Sequence, residues 1–281
     1  MMVYLNGSFL PEEQARISVF DRGFLYGDAL FETLRVHKGA PFQWQAHLDR
    51  LASGANALGI QLPFGAQELR EAAVELCRLN RMPEAVLRMN LSRGVGERGY
   101  SPRRAGPTTV VLSLHPAPPL TPEPAAWKLI TTNIRLPGND SLAPYKTGNK
   151  LRQILARGEA DEKGANEAVM LDATGKLAEG TCSNLFWIRR GTVFTPPAAG
   201  AVLPGITRAF VLHWCAKAGT PLREIAAEPA ELLQADGVFL SLSTLGIVEA
   251  SQLDSAPLSR SPLIRQIYVA WLEALNEASA V

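Results

Sequence analysis

The sequence predicts an α/β (α+β) fold in two domains, and three observations predict it. Short apolar runs rich in β-branched residues alternate with longer segments of helical period along the chain. A proline-dense stretch, His115-Pro116-Ala117-Pro118-Pro119-Leu120-Thr121-Pro122-Glu123-Pro124, divides these segments into two groups. The 281 residues, 47% hydrophobic and 20% charged, are enough to bury a core on each side of that divide. The expected division is a smaller domain over 1–115, a stiff linker over 116–126 and a larger domain over 127–281, with a cleft between domains as the natural place for a ligand.

In the first domain, His47, Leu48, Leu51, Ala55 and Leu58 recur at helical spacing and predict a helix over 46–58. Leu69, Ala73, Leu76 and Leu79 do the same for 67–79. Residues 85–91 and 109–114 read as strands. Beyond the linker, strands are expected at 127–134, 167–171, 183–188 and 238–242, with helices over 150–163 and 207–218.

Net charge is +1, from 28 basic and 27 acidic residues, which gives no electrostatic reason to expect nucleic acid or a membrane surface as partner. The three cysteines are too few and too scattered for a disulfide framework or a metal cluster. No metal is expected. The first residues lack a charged leader before an apolar run, and apolar stretches fall well short of the roughly 20 residues that span a bilayer. A cytoplasmic protein with reduced thiols is the expectation.

Gly94-Val95-Gly96-Glu97-Arg98-Gly99 matches the glycine pattern of dinucleotide folds. That motif needs a helix opening at its last glycine to meet the pyrophosphate, and here Tyr100-Ser101-Pro102-Arg103 continues as loop. The nucleotide reading is rejected. What remains is a basic, mobile glycine loop able to carry Arg98 and Tyr100 over a site.

Gly200-Ala201-Val202-Leu203-Pro204-Gly205-Ile206-Thr207-Arg208 is a turn that runs directly into a helix. Free N–H groups there form a seat for a phosphate dianion, with the Thr207 hydroxyl as an added donor; the plain alternative is that Thr207 merely caps its helix. Ser243 and Thr244 follow a strand and could donate to the same anion. Arg50 lies among core positions of its helix, either as a solvated residue or as a planar fork for an oxyanion. Lys146 precedes a helix, where partial desolvation and neighbouring cations turn a lysine into an amine nucleophile. Glu179, before the small polar turn Gly180-Thr181-Cys182-Ser183, is either a turn residue or a buried acceptor for a protonated ring nitrogen.

In their order, His47-Leu48-Asp49-Arg50-Leu51, Lys146 with Asn149, Glu179-Gly180-Thr181-Cys182-Ser183-Asn184-Leu185-Phe186, Leu203-Pro204-Gly205-Ile206-Thr207-Arg208 and Ser243-Thr244 resemble the class IV (fold type IV) pyridoxal 5′-phosphate (PLP) enzymes. The likeness begins at Asp21-Arg22-Gly23-Phe24-Leu25-Tyr26-Gly27-Asp28 and covers nearly the whole chain. It implies that Lys146 forms the Schiff base and shuttles protons, that Glu179 binds the pyridine nitrogen and that Leu203 packs on the ring. It implies further that Arg50, Ile206 and Thr207, with Ser243 or Thr244, hold the phosphate. Such enzymes are typically homodimers with the cofactor between two domains, and the loop bearing Arg98 reaches the neighbouring subunit's site.

Within the family, the D-amino-acid aminotransferases commonly have tyrosine and histidine where this chain has Phe31 and Tyr100. Branched-chain enzymes have glycine where Thr33 stands. Thr33 and the string Ser92-Arg93-Gly94-Val95-Gly96-Glu97-Arg98-Gly99-Tyr100-Ser101 resemble the 4-amino-4-deoxychorismate lyases, while Ser243-Thr244 resembles the aminotransferases. The lyase is the leading expectation, with an aminotransferase of branched-chain or D-amino acids as the alternative. In the lyase, Thr33 would position or protonate the leaving group. Arg98 and Arg35 would take the two substrate carboxylates, with Phe31 and Tyr100 beside them.

Overall fold

A computed structural model describes every residue except Asn139, Ala199, Ala280 and Val281. The chain forms two compact units. One contains residues 1–118, 145–149 and 275–281, the other 119–144 and 150–274. The division is therefore discontinuous in sequence: the short segment around Lys146 belongs with the first unit.

The first unit contains β1 (Met2–Leu5), β2 (Ser8–Pro11), α1 (Arg22–Tyr26), β3 (Ala29–His37), β4 (Ala40–Pro41), α2 (Trp44–Leu58), α3 (Ala66–Asn80), β5 (Ala85–Ser92) and β6 (Thr109–Pro116). Its six strands form an antiparallel sheet in the order β2-β1-β6-β5-β3-β4. Alternation along β3 decides which side chains face the helices. Leu30, Leu34 and Val36 enter the core with Leu48, Leu51 and Ala55 of α2 and Leu69, Ala73 and Leu76 of α3. Phe31, Thr33 and Arg35 take the opposite face. Both helices match the spacing of their apolar residues to within about two positions. Pro116 is tolerated in β6 because it is the terminal residue of the strand, opposite Ala85.

The second unit contains β7 (Ala126–Leu136), α4 (Leu151–Glu162), β8 (Glu167–Asp172), β9 (Leu177–Gly180), β10 (Asn184–Arg189), β11 (Thr192–Thr195), α5 (Ile206–Ala218), β12 (Leu222–Glu224), α6 (Ala230–Leu233), β13 (Gly237–Leu242), β14 (Gly246–Leu253) and β15 (Ala256–Pro257). A last helix, α7 (Pro262–Ala278), has its helical-period apolar residues Ile264, Ile267, Tyr268 and Trp271 fully or nearly fully buried. The strand path is β12-β11-β10-β13-β14-β7-β8-β9, and β9 returns to pair with β10. That return closes β7, β8, β9, β10, β13 and β14 into a ring, which removes their free edges. Leu129, Val169, Leu185, Trp187, Leu240 and Val248 belong to its core.

The closing contact sets a functional row. Asn184 on β10 lies opposite Glu179 on β9 and opposite Ser241 on β13. Directly opposed residues of antiparallel strands project from the same face.

Candidate active site

In the first unit, the segment Tyr145–Asn149 runs beside the start of β3. The Phe31 N–H donates to the Lys146 carbonyl at 2.9 Å, Leu30 and Thr147 form an antiparallel bridge, and the Gly148 N–H donates to Ala29 at 2.8 Å. Helix α4 begins only at Leu151, so Lys146 is fixed by pairing with β3 rather than by a helix end. The adjoining turn is close: Gly27 has φ +65°, and a Cβ there would collide with Asn149, whose amide donates to the Gly27 carbonyl at 3.1 Å.

This pairing brings Lys146 Nζ over the Phe31 ring, 4.7 Å from its centroid. The Arg88 guanidinium stacks on the same ring at 4.0 Å. Thr33 is half-buried, two residues from Phe31 on the same face of β3, and its cross-strand partner is Arg88. Amine, aromatic ring, hydroxyl and guanidinium thus share one face.

Arg88 was not among the residues singled out above. Burial lowers its pKa from the ordinary arginine value, the mark of a cation taken partly out of water. The signal was an arginine at the centre of the apolar strand Ala85–Ser92.

The opposite face of β3 carries Glu32, fully buried. Arg50 clasps it side-on, Nε to Oε1 at 2.8 Å and Nη2 to Oε2 at 2.7 Å. His47 Nδ1 meets Oε2 at 2.7 Å. Burial pushes the Glu32 carboxyl up, but hydrogen bonds and charge from Arg50 and His47 outweigh it and lower the pKa to about 2. His47 is lowered, first by burial, with Arg50 and Lys146 adding to the effect and Glu32 opposing it. Its ring therefore acts at neutral pH as an uncharged donor to Glu32.

Arg35 requires a correction. Its side chain is 2% exposed, with Nη1 on the Pro118 carbonyl at 2.7 Å and Nη2 on Glu84 at 3.2 Å. A guanidinium committed in this way holds the end of the strand and does not receive a substrate carboxylate. Arg98 and Tyr100 are exposed on the loop between β5 and β6, and no described contact joins them to Lys146.

That loop is fastened along part of its backbone. Arg22, 3% exposed, donates to the carbonyls of Gly99 and Tyr100 at 2.9 and 3.3 Å. Asp28 grips both Arg22 and Arg93, Tyr26 accepts from the Gly99 N–H, and Asp21 bridges to Val95. The Tyr100 ring meets Tyr26 edge-on at 5.7 Å.

In the second unit, α5 starts at Ile206 with Gly205 as its cap residue, and no side chain caps it. The reading of Thr207 as a plain cap therefore falls; Thr207 is buried inside the first turn. Gly205 is required, because a Cβ would collide with Asn184. Asn184 donates to the Leu203 carbonyl at 2.9 Å and to Glu179 at 3.4 Å, while the Leu203 N–H donates to Glu179 at 3.0 Å. Leu203 is thus held at both ends of its peptide, and Glu179 is oriented by neutral donors. Half-buried Ser243 and Thr244 lie in the turn after β13, the strand against which α5 packs.

Beneath this turn is Glu167, fully buried on β8 and also not singled out above. Its carboxylate accepts from Thr181 N–H at 3.0 Å, from the hydroxyls of Thr181 and Ser183, from Cys182 Sγ and from the Ala168 N–H. It organises the turn that follows Glu179.

The class IV amino-transferase family model matches residues 29–253. The chain belongs to the class IV aminotransferases. Family members are PLP-dependent transferases and lyases. A Methanocaldococcus jannaschii protein provisionally named a branched-chain-amino-acid aminotransferase is 36% identical over 255 residues, 90% of this chain and 88% of that protein. The T.th. branched-chain amino acid aminotransferase, complexed with N-(5′-phosphopyridoxyl)-L-glutamate, superposes with TM-score 0.90 at 29% identity, covering 99% of this chain and 94% of that one. The 4-amino-4-deoxychorismate lyase from Pseudomonas aeruginosa superposes with TM-score 0.84 at 33% identity, covering 96% and 98%.

The donor set fits PLP. A helix start without a side-chain cap and a threonine in its first turn suit a phosphate dianion. A carboxylate oriented by Asn184 and the Leu203 N–H suits a pyridinium nitrogen.

Proposed function

We propose that this enzyme converts 4-amino-4-deoxychorismate to 4-aminobenzoate and pyruvate with PLP as cofactor. The observation that carries the reading is Thr33, a hydroxyl on the same strand face as the Phe31 ring that lies under Lys146 Nζ. A lyase needs a proton donor beside its base, and glycine at this position would supply none.

Lys146 would anchor the cofactor, with Glu179 as the partner of its ring nitrogen and Leu203 as an apolar neighbour of its ring. Arg50, Ile206, Thr207, Ser243 and Thr244 hold its phosphate. Bound PLP supplies an electron sink for the carbon bearing the substrate amine. Lys146 Nζ takes the proton from that carbon. Thr33 donates toward the ether oxygen as its bond to the ring breaks. The six-membered ring becomes aromatic, and the released enol takes the proton held by Lys146 at its carbon and returns its hydroxyl proton to Thr33, which gives pyruvate and restores both residues. Atoms balance without a co-reactant. Arg88, stacked on Phe31, and Arg98 are the cations for the two substrate carboxylates, with Tyr100 beside Arg98.

The enzyme works as a homodimer in the cytoplasm. Val19, Phe20 and Phe24, 64%, 63% and 74% exposed, supply apolar surface for a second copy to cover. No described helix is long and apolar enough to cross a membrane.

The second reading is an aminotransferase, favoured by the Methanocaldococcus jannaschii relative and the T.th. structure. Absorbance of the PLP-loaded protein separates the two. Under the lyase reading, the visible band persists while 4-aminobenzoate and pyruvate accumulate from aminodeoxychorismate. Bleaching by a D- or L-amino acid, reversed by a keto acid and without 4-aminobenzoate formation, would establish the aminotransferase instead. Thr33→Val should lower lyase kcat on the order of a hundredfold, and Lys146→Ala should abolish turnover.

A further inference from the structure

The geometry points to Glu32 and His47 as a positioning pair that sets the Arg50 guanidinium for the phosphate of the cofactor. The inference rests on the reading of Arg50 as a phosphate ligand and goes beyond it, because neither Glu32 nor His47 touches the cofactor in that reading.

Glu32 occupies the Nε edge of the guanidinium, using Nε–H and one Nη2 hydrogen. In that reading, a phosphate would meet the guanidinium hydrogens that this carboxylate does not take. An arginine side chain has several rotatable bonds, and ordering them on binding costs affinity. A bidentate carboxylate on one edge imposes that order in advance and aims the other edge.

The carboxylate must itself be held, and His47 does this. Oε2 accepts from both Arg50 Nη2 and His47 Nδ1, each at 2.7 Å, so rotation of the carboxyl group would break both bonds. The three groups come from neighbouring places: Glu32 from the helix-facing side of β3, His47 and Arg50 from one face of α2 at i and i+3. His47 is 2% exposed, so water does not compete for its donor. A charged imidazole here would draw Glu32 away from Arg50; the depressed pKa of His47 keeps the ring neutral and leaves the ion pair to the arginine.

The test compares PLP with pyridoxal, which offers the same aldehyde and ring but no phosphate. Equilibrium binding of each to the cofactor-stripped protein is measured for wild type, Glu32→Gln, His47→Asn, Arg50→Lys and the Glu32→Gln/Arg50→Lys double variant. The expected result is that Glu32→Gln weakens PLP about tenfold or more and leaves pyridoxal unchanged. His47→Asn should give the same pattern at about threefold and serves if Glu32→Gln fails to fold. In the Arg50→Lys background the Glu32 effect should vanish, because the pair acts through that guanidinium. Equal weakening of PLP and pyridoxal would show a merely structural role and overturn the proposal, as would unchanged binding of both. If Arg50→Lys leaves the preference for PLP over pyridoxal intact, the reading of Arg50 fails and takes the positioning role with it.

Discussion

Glu32 in the first unit and Glu167 in the second are both fully buried carboxylates, yet they are satisfied in opposite ways. Glu32 is held by a guanidinium and an imidazole. Glu167 is held by backbone N–H groups, hydroxyls and a thiol, none of them charged. An ion pair couples two side chains to one another and fixes a direction. A fan of neutral donors couples a carboxylate to a stretch of backbone and fixes a loop. The first arrangement suits a residue that must aim an arginine, the second a turn that must present Glu179.

The largest expected effect follows from removing the charge at Glu32. Glu32→Gln leaves Arg50 without its carboxylate in a buried setting and should destabilise the protein by about 3–5 kcal/mol in denaturant unfolding. A loss under 1 kcal/mol would mean that the ion pair contributes far less than its geometry suggests.

Acid should distinguish the pair next. The folded-state pKa of Glu32 is lowered from 4.5 to about 2, so its contribution is present above pH 4.5 and is lost as pH falls toward 2, in total about 3 kcal/mol. His47, lowered below 6.5, adds loss of the same sign as pH falls below its unfolded value. Wild-type stability should therefore drop steeply between pH 4.5 and 2, and Glu32→Gln should flatten that limb. A parallel limb in the variant would assign the acid sensitivity elsewhere.

Glu167→Gln should cost about 2 kcal/mol, since one oxygen becomes a donor facing donors. Its sharper readout is local: amide exchange at Thr181 and Cys182 should accelerate in Glu167→Gln and not in Glu32→Gln. Acceleration in both would erase the contrast. At the small end, Glu75→Gln removes the exposed partner of Arg78 and should leave the unfolding midpoint unchanged.

Much of the scaffold was legible because periodicity is a local signal. Helices α2 and α3 announce themselves through Leu48, Leu51, Leu69 and Leu76, and β5 through its apolar run. The approach to Lys146 was not legible in the same way. Its order comes from pairing with Leu30 and Phe31, more than a hundred residues away. Glu32, Arg88 and Glu167 stand as charges in or at the start of apolar strands, a signal of burial that gives no partner. Arg35 misled for a geometric reason. It shares a face with Phe31 and Thr33, but four residues of strand place it about 13 Å from Phe31, beside Glu84 and Pro118 instead. The motif strings located Glu179, Leu203 and Thr207, while the clamp made by Asn184 depends on strand register and appears only in the fold.

The fastening of the glycine-rich loop has a consequence for how this enzyme can change. Its base is stapled at Asp21 and Val95, and Arg22 holds the backbone as far as Tyr100. Gly94 cannot be widened, since a Cβ would strike the Pro107 carbonyl. Only the arc from Ser101 to Ala105 is left outside these fastenings, so length variation and sequence drift should concentrate there. Such an arc is an exchangeable part: a descendant could acquire a new tip, and with it a new substrate, while the clasp beneath stays as it is.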